Sequence, residues 1–271
     1  MKTVKYQKFG EVEFWEFGYN PFGKPLMTSI FYLIDRVVID TAFTRVRTEV
    51  LDVLESKHPE KVLLTHCHED HSGNALAIKN RFQIDVYGHP LTIKKMAAKQ
   101  IIFPYQRILW GKAQRMDALE IPSIIETNRY RLRPIHVPGH SKDMTVYLEE
   151  KNGWLFSGDL FIGTNMKMFR ADEHIANQIS SLKKILTWDF DTLFCSHNPQ
   201  LEKGKLKISE KLGYLENLVG EVQLQVKKGV PEKEIIRAMD RKHDRVIKWF
   251  TMGNMSFANM IRSAVRDYET S

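Results

Sequence analysis

The chain contains the stretch Thr65-His66-Cys67-His68-Glu69-Asp70-His71-Ser72-Gly73, which places three histidines and one aspartate within six residues. The apolar run Val62-Leu63-Leu64 precedes it and predicts a short buried strand, and the apolar spacing from Ala75 to Ile78 predicts that a helix follows. Packed imidazoles at this density would repel one another once protonated, whereas imidazole and carboxylate groups are common metal ligands. The stretch therefore predicts a metal site between a strand and a helix.

Alternation along a continued strand predicts the directions of the first side chains in this stretch. His66 and His68 are two residues apart and would point the same way, which turns Cys67 away as a packed thiol. Asp70 and His71 lie on the turn into the helix, where the bend of the backbone aims them back at the same point.

Three later segments share one pattern, an apolar strand that runs into a turn with a ligand-type residue. They are His136-Val137-Pro138-Gly139-His140-Ser141, Leu155-Phe156-Ser157-Gly158-Asp159 and Phe194-Cys195-Ser196-His197-Asn198-Pro199. Because strand ends in layered α/β proteins gather at one edge, we expect these turns to lie beside the first stretch. The candidate metal ligands are therefore His66, His68, Asp70, His71, His140, Asp159 and His197.

The order of these motifs resembles that of the metallo-β-lactamase-fold hydrolases. Residues 65–73 are similar to the signature of that superfamily, and Val38-Ile39-Asp40-Thr41 resembles its early strand ending in an aspartate that supports the ligand loop. The resemblance covers residues 10–200 and implies a four-layer αββα sandwich with a metal pair at one edge. The segment Pro138-Gly139-His140-Ser141-Lys142-Asp143 departs from the usual small, glycine-containing continuation of its motif.

The resemblance also implies how the ligands divide between two divalent metal ions. One ion would be held by His66, His68 and His140, the other by Asp70, His71 and His197, with Asp159 bridging the pair. Imidazoles and a bridging carboxylate suit Zn²⁺ best, and Fe or Mn are the alternatives. Metal-bound hydroxide would be the nucleophile, with Asp70, His71 and Asp159 at the centre of the chemistry and Asp70 orienting the hydroxide.

Composition and charge place the chain among soluble globular proteins. Hydrophobic residues make up 43% and charged residues 27%, and Cys67 and Cys195 are too few for a disulfide framework. We expect no signal peptide, no membrane span and a cytoplasmic location. The net charge is +7, with 14 Lys/Arg against 9 Asp/Glu in residues 203–271. These charges are interspersed, which is typical of solvated helix faces and makes a nucleic-acid partner the less favoured interpretation.

The chain divides into a catalytic domain at residues 1–203 and a helical region at residues 204–271. Residues 89–120 are predicted to form a long helical insertion, whose Phe103, Tyr105 and Trp110 either line the substrate pocket or pack within the helix. The tail is predicted to contain helices at residues 206–226, Glu232–Arg241 and Ser256–Asp267. Arg170 either meets an anionic substrate group or is a solvated loop residue.

The functional prediction is a dinuclear metal-dependent hydrolase of the glyoxalase II-like branch, acting on a small molecule with a thioester or related carboxylic ester or lactone. A bridging Asp159 is not expected in the true β-lactamases, and the second ligand set favours hydrolysis over one-iron oxygen chemistry. A nucleic-acid or other phosphodiesterase, a mononuclear iron sulfur dioxygenase and a low-turnover regulatory binding protein stay open. The chain is compatible with a homodimer.

Overall fold

Two β-sheets lie face to face in the computed structural model, which describes residues 1–21, 23–25, 27–98, 101–239 and 244–269. The strands are β1 (Lys2–Phe9), β2 (Val12–Tyr19), β3 (Thr28–Ile34), β4 (Val37–Ile39), β5 (Lys61–Leu63), β6 (Asp85–Gly88), β7 (Leu119–Glu120), β8 (Ile125–Glu126), β9 (Arg131–His136), β10 (Thr145–Glu149), β11 (Trp154–Gly158), β12 (Phe169–Arg170), β13 (Thr192–Cys195) and β14 (Met255–Ser256). The helices are α1 (Arg47–Glu55), α2 (Glu69–Ser72), α3 (Ala75–Phe82), α4 (Pro90–Ala97), α5 (Pro104–Leu109), α6 (Ile175–Leu186), α7 (Gly204–Lys227), α8 (Glu232–Met239), α9 (Asp244–Phe250) and α10 (Phe257–Glu269).

The strand order brings several carboxyl ends to one edge. The first sheet runs β1 to β7 in sequence, with β4, β5 and β6 parallel, and the second runs β13-β11-β10-β9-β8, with β13 parallel to β11. Strand β9 runs in the same direction as β11 because both are antiparallel to β10. The Thr145 N–H donates to the Thr65 carbonyl at 2.8 Å, and this bond joins the edges of the two sheets.

Aromatic side chains fill the space between the sheets. The strand period of two sends Phe14 and Tyr32 from the first sheet into this space, where they meet Phe156 and Phe194 from the second. The Phe156 and Phe194 rings stack with their centroids 4.8 Å apart. The Tyr147 hydroxyl donates to the Leu64 carbonyl of the opposite sheet at 2.7 Å. A buried apolar and aromatic layer therefore fixes the two sheets against each other.

Helices cover the outer face of each sheet and complete the four-layer αββα arrangement. Helices α1, α3 and α4 pack on the first sheet, and α6, α7 and α10 pack on the second. The predicted fold class is thus confirmed. In the described part of the chain, no helix is long and apolar enough to cross a membrane.

The long helical insertion predicted for residues 89–120 is wrong. This segment holds the two short helices α4 and α5 and then runs without a helix from Gly111 to Ala118. Pro104 can only begin a new helix, and Gly111 takes a φ of 78°, which ends helical geometry. The resulting irregular segment packs Trp110, Met116 and Ala118 into the apolar cluster on the first sheet.

The predicted tail helices exist with small changes. Helix α7 spans the predicted apolar stripe and α10 lies close to the predicted third helix. Helix α8 is described as far as Met239, and its predicted end at Arg241 lies outside the described residues. Helix α9 was not predicted, because its seven residues are too short for a periodic pattern to stand out.

Helix α7 carries a fully buried lysine beneath the strand ends. The Lys211 Nζ donates to the Leu160 carbonyl at 2.7 Å, in the turn that follows β11. Burial lowers the pKa of this ammonium group to about 8, against the partly compensating charges of Glu173 and Asp159. The contact of Lys211 with Leu160 connects the second sheet to the tail. Holding the charged ammonium group in the interior lowers the stability of the folded chain.

Lys211→Met is expected to change how stability depends on pH. Between the folded pKa of about 8 and the unfolded value near 10.5, the unfolded wild-type chain binds more protons, so its free energy of unfolding rises with pH. The stability advantage of the variant over wild type should therefore shrink by about 3 kcal/mol across this window. Denaturant unfolding measured from pH 7 to 10.5 checks this. Lys227→Met, at an exposed position on the same helix, is the control. If the difference in free energy of unfolding between Lys211→Met and wild type does not change with pH, the expectation is contradicted.

Candidate metal centre

The histidine-rich stretch adopts a loop and one turn of helix. Strand β5 ends at Leu63, so the predicted strand continuation through His68 is wrong, and α2 carries Asp70 and His71. The loop nevertheless brings His66 Nε2 and His68 Nδ1 to 2.8 Å from each other. The turn of the backbone after β5, rather than strand alternation, therefore makes His66 and His68 point towards the same place.

Cys67 points away from its two histidine neighbours, as expected. Its N–H donates to Asp143 Oδ2 at 2.9 Å, and its sulfur lies 3.8 Å from Asp143 Oδ1. Burial and the nearby Asp143 carboxylate raise the pKa of the Cys67 thiol to about 12. Asp143 also accepts from Lys95 Nζ of α4 at 2.8 Å. Asp143 belongs to the segment after His140 that departs from the usual motif, and its contact with the Cys67 N–H supports the ligand loop. The thiol is therefore packed and protonated.

His66, His68 and His140 form one ligand group. His140 comes from the turn between β9 and β10, and its Nε2 lies 3.1 Å from His68 Nδ1. Three ring nitrogens thus converge on one point, and such a set can hold a divalent ion.

Asp70, His71, Asp159 and His197 form the second group. His197 Nε2 lies 3.2 Å from Asp159 Oδ1 and 3.4 Å from Asp70 Oδ2. His71 Nε2 lies 3.4 Å from the same Asp159 oxygen. These residues come from α2, from the end of β11 and from the end of β13, so the fold brings all seven predicted residues to one place.

Asp159 lies between the two groups. Its Oδ1 faces His71 and His197, and its Oδ2 lies 3.4 Å from His140 Nε2. Gly158 allows this placement with a φ of 48°, and a side chain there would come within 2.7 Å of Thr65 Oγ1. One carboxylate therefore offers an oxygen to each group.

The second nitrogen of four of these imidazoles is bound by a protein group. His71 Nδ1 lies 2.8 Å from Asp40 Oδ2, and His197 Nδ1 donates to the Thr28 carbonyl at 2.6 Å. The two other contacts are His66 Nδ1 to Thr65 Oγ1 at 3.0 Å and His140 Nδ1 to Glu173 Oε1 at 3.3 Å. Such partners set the tautomer and fix the direction of the other ring nitrogen, which would bind a metal ion.

Glu173 was missed by the sequence interpretation. It lies in the turn before α6, where adjacent acidic residues Asp172-Glu173 were the available signal. Asp40, by contrast, supports the ligand loop as its motif indicated, because it also accepts from the Thr65 N–H at 2.8 Å.

The electrostatics of the two groups differ. Burial and the neighbouring imidazoles hold the pKa of His66 well below its ordinary value, which keeps that ring neutral and ready to bind a metal. Burial also opposes protonation of His71 and His197, but the carboxylates around them outweigh it and raise both pKa values well above normal. The second group therefore has a negative potential that attracts positive charge.

Two buried atoms at the centre have no hydrogen-bond partner within the described residues, namely His71 Nε2 and Asp159 Oδ1. Buried polar atoms are rarely left in this state, since the loss of hydration is costly. Both face the same point, and a cation there would satisfy them together. The donor set of imidazole nitrogens and carboxylate oxygens fits Zn²⁺, Fe or Mn.

A cavity of about 470 Å³ opens onto the metal centre. Its apolar walls include Met27, Tyr105, Leu109, Trp110, Met166 and Met255. Tyr105 and Trp110 are thus pocket walls, while Phe103 lies outside. Arg170 and Glu69 also line the cavity. Burial raises the pKa of Glu69 to about 7, and Gln106 Nε2 donates a hydrogen bond to Glu69 Oε2 at 3.0 Å. The tail reaches the cavity through Met255, where β14 pairs with β12, whereas α7 and α10 cover the second sheet.

The model of the metallo-beta-lactamase superfamily matches residues 24–197, well over half of the chain. The chain therefore belongs to the metallo-β-lactamase superfamily. Proteins of this superfamily are metal-dependent, and hydrolases are among the relatives of this chain.

Two relatives illustrate the range of similar proteins. A beta-lactamase-like protein 2 homolog from Caenorhabditis elegans is 26% identical over 234 residues, which cover 82% of this chain and 72% of that protein. A hydroxyacylglutathione hydrolase from Photorhabdus laumondii is 32% identical over 164 residues, which cover 59% of this chain and 55% of that protein. The second match thus spans little more than half of the relative.

A solved structure shows the same fold. The beta-lactamase domain protein from Burkholderia ambifaria superposes with a TM-score of 0.72, covering 97% of this chain and 88% of that one. Sequence identity is 17%, so this likeness concerns the fold alone.

Asp159→Ala is expected to lose one or both metals, because it removes the carboxylate that faces both groups. Metal analysis of protein dialysed after supplementation with Zn, Fe or Mn measures this. Wild-type protein should retain at least about one ion per chain. Asp189→Ala, at an exposed position paired with Lys205, is the control. Equal metal content in Asp159→Ala and wild type would contradict the shared role of Asp159.

Asp40→Asn is expected to weaken metal binding by roughly 10–100-fold, the usual effect of losing a partner of a ligating histidine. The amide keeps the size of the side chain but can no longer hold both Thr65 and His71 as a carboxylate does. Competition with a chromogenic chelator gives the affinity. Asp189→Asn serves as the control, and an unchanged affinity in Asp40→Asn would contradict this expectation.

Proposed function

We propose that this chain is a dinuclear metal-dependent hydrolase that cleaves an ester-like bond, with a thioester or a carboxylic ester or lactone as the preferred substrate. The observation that carries the proposal is the placement of Asp159, one oxygen of which faces each ligand group. In this proposal His66, His68 and His140 hold one ion, Asp70, His71 and His197 hold the other, and Asp159 bridges them. Zn²⁺ is the preferred metal, with Fe or Mn as alternatives.

Two divalent ions at this centre would lower the pKa of a bound water and polarise the carbonyl of an ester. The chain's own residues position the reactants. Asp70 lines the cavity and its Oδ2 lies 3.4 Å from His197 Nε2, so its other carboxylate oxygen can accept a hydrogen bond from the attacking hydroxide and orient it. The buried partners Asp40 and Glu173 keep His71 and His140 from rotating.

The cavity favours an ester over a nucleic acid. Its walls are mostly apolar, and Lys167 and Arg170 are the lysine and arginine among its described lining residues. Arg170 is already paired with Asp172, through Nε to Oδ1 at 3.0 Å and Nη2 to Oδ2 at 3.3 Å. A polyanionic strand requires several cations in a row. The similarity to hydroxyacylglutathione hydrolase, whose name denotes thioester cleavage, supports the same choice.

Arg170 nevertheless lies at the cavity rather than in solvent. Its side chain is 16% exposed and lines the cavity, and its charge helps to hold the pKa of His68 well below normal, second to burial. One guanidinium can hold a single acidic group on an otherwise apolar ester. Of the two interpretations of Arg170 from the sequence, the proposal adopts the substrate-facing one.

Wild-type protein loaded with Zn, Fe or Mn is expected to hydrolyse thioesters or carboxylic esters at least about 100-fold faster, in kcat/KM, than bis-aryl phosphodiesters. The panel comprises an acyl thioester, an aryl ester, a lactone, a bis-aryl phosphodiester and a persulfide with oxygen consumption followed. Asp70→Asn should lower kcat by roughly 10²–10⁴-fold, since it removes the carboxylate that orients the hydroxide. Arg133→Gln, on an exposed ion pair of β9, is the control.

Three outcomes would contradict the proposal. Preference for the phosphodiester with salt-sensitive RNA binding would assign the chain to the phosphodiesterases. Oxygen uptake with the persulfide would assign it to the iron dioxygenases. Metal binding without turnover of any substrate would leave a regulatory binding protein.

A further inference from the structure

Large apolar side chains are exposed on the two segments that meet at Tyr105, a residue that lines the cavity. Trp249 is 82% exposed, Met252 66%, Phe103 39% and Phe250 38%. We call these four residues the apolar lip. Single exposed apolar residues are normal on protein surfaces, but a group of large ones marks a binding surface.

Tyr105 connects the lip to the interior of the cavity. It is 5% exposed and lines the cavity, and its ring centroid lies 6.0 Å from those of both Phe103 and Phe250. Its hydroxyl accepts from Asn254 Nδ2 at 2.6 Å, which fixes the ring between the insertion and the tail. The apolar wall of the cavity therefore continues outward through Tyr105 onto the lip.

The tail is held at the cavity by its pairing with β12 and by the contact of Asn254 with Tyr105. After α9 the chain turns at Met252 and Gly253, which have φ angles of 55° and 81°. It then enters β14, which pairs Met255 with Arg170 of β12, and Met255 lines the cavity. The lip residues of the tail are thus held beside the metal centre although they lie more than fifty residues after His197 in the sequence.

The size and chemistry of the cavity indicate what fills it. A volume of about 470 Å³ lies within the range of about 300–1,000 Å³ that is usual for drug-sized ligands, so an ester with short groups on both sides of the bond would leave most of it empty. Four methionines line it, namely Met27, Met166, Met168 and Met255. Methionine side chains adapt their shape to flexible apolar ligands, and this favours an alkyl chain over a rigid polar group.

We propose that the acyl group of the substrate is a medium-length or long apolar chain, which fills the cavity and extends past Tyr105 over the lip. This inference rests on the proposed ester hydrolysis and specifies its substrate class. Each methylene that is buried against these walls should raise kcat/KM by about two- to fourfold until the lip is covered.

The test is a series of acyl thioesters of N-acetylcysteamine, from acetyl to dodecanoyl, each below its critical micelle concentration. Wild-type kcat/KM should rise at least about 100-fold between acetyl and decanoyl. The double variant Trp249→Ser/Phe250→Ser should lower the ratio of decanoyl to acetyl kcat/KM by about 5–20-fold through a higher KM for decanoyl. Leu224→Ser, at an exposed position on α7, should leave this ratio unchanged. Metal content of all three proteins shows whether the centre stays intact.

The possible failures can be told apart. A flat or falling kcat/KM along the series refutes the long acyl chain but leaves the hydrolase, whereas no cleavage of any thioester or ester refutes the proposed function. A wild-type rise that persists in the double variant refutes the role of the lip. Preference for acetate esters of long alcohols over acyl thioesters of the same length would put the chain on the leaving group and refute the acyl assignment.

Discussion

The carboxylate of Asp40 is the contact on which the metal centre depends. It accepts from the Thr65 N–H and hydroxyl, lies 2.8 Å from His71 Nδ1 and also accepts from the Ser196 hydroxyl at 3.3 Å. These partners belong to the ligand loop, to α2 and to the end of β13, so one buried group joins three parts of the centre. A carboxylate in the interior is favourable only when several donors surround it, and the folded edge supplies them.

The two ligand groups that Asp40 helps to hold in place differ in their charges. In the three-histidine group, the low pKa values of His66 and His68 keep these two rings neutral. The other group contains Asp70 and Asp159, which draw positive charge towards His71 and His197. Asp159 faces both groups and couples them electrostatically. The arrangement is suited to two cations close together, which is the basis of the proposed hydrolase.

The walls of the cavity have a different origin from the ligands. The ligands lie at strand ends fixed by the inter-sheet core, whereas the walls come from α5, from the loop after β11 and from the tail. These segments meet through a few polar contacts such as Tyr105 with Asn254 and the short pairing of β12 with β14. Loops can vary without disturbing the strands beneath them, so substrate choice is separable from the metal chemistry.

The sequence by itself determined the class of fold and the set of candidate metal ligands. One short stretch predicts metal binding through His66, His68, Asp70 and His71. These side chains are close in the chain, so they need little folding to converge. The apolar run Val62-Leu63-Leu64 likewise indicated the short buried strand that is observed as β5, Lys61–Leu63. The tertiary structure alone decided which groups Asp159 faces, that Glu173 supports His140, that residues 89–120 break into two helices, and that Tyr105 meets the tail. Each of these depends on contacts between residues far apart in the chain, and no local pattern of side chains records them.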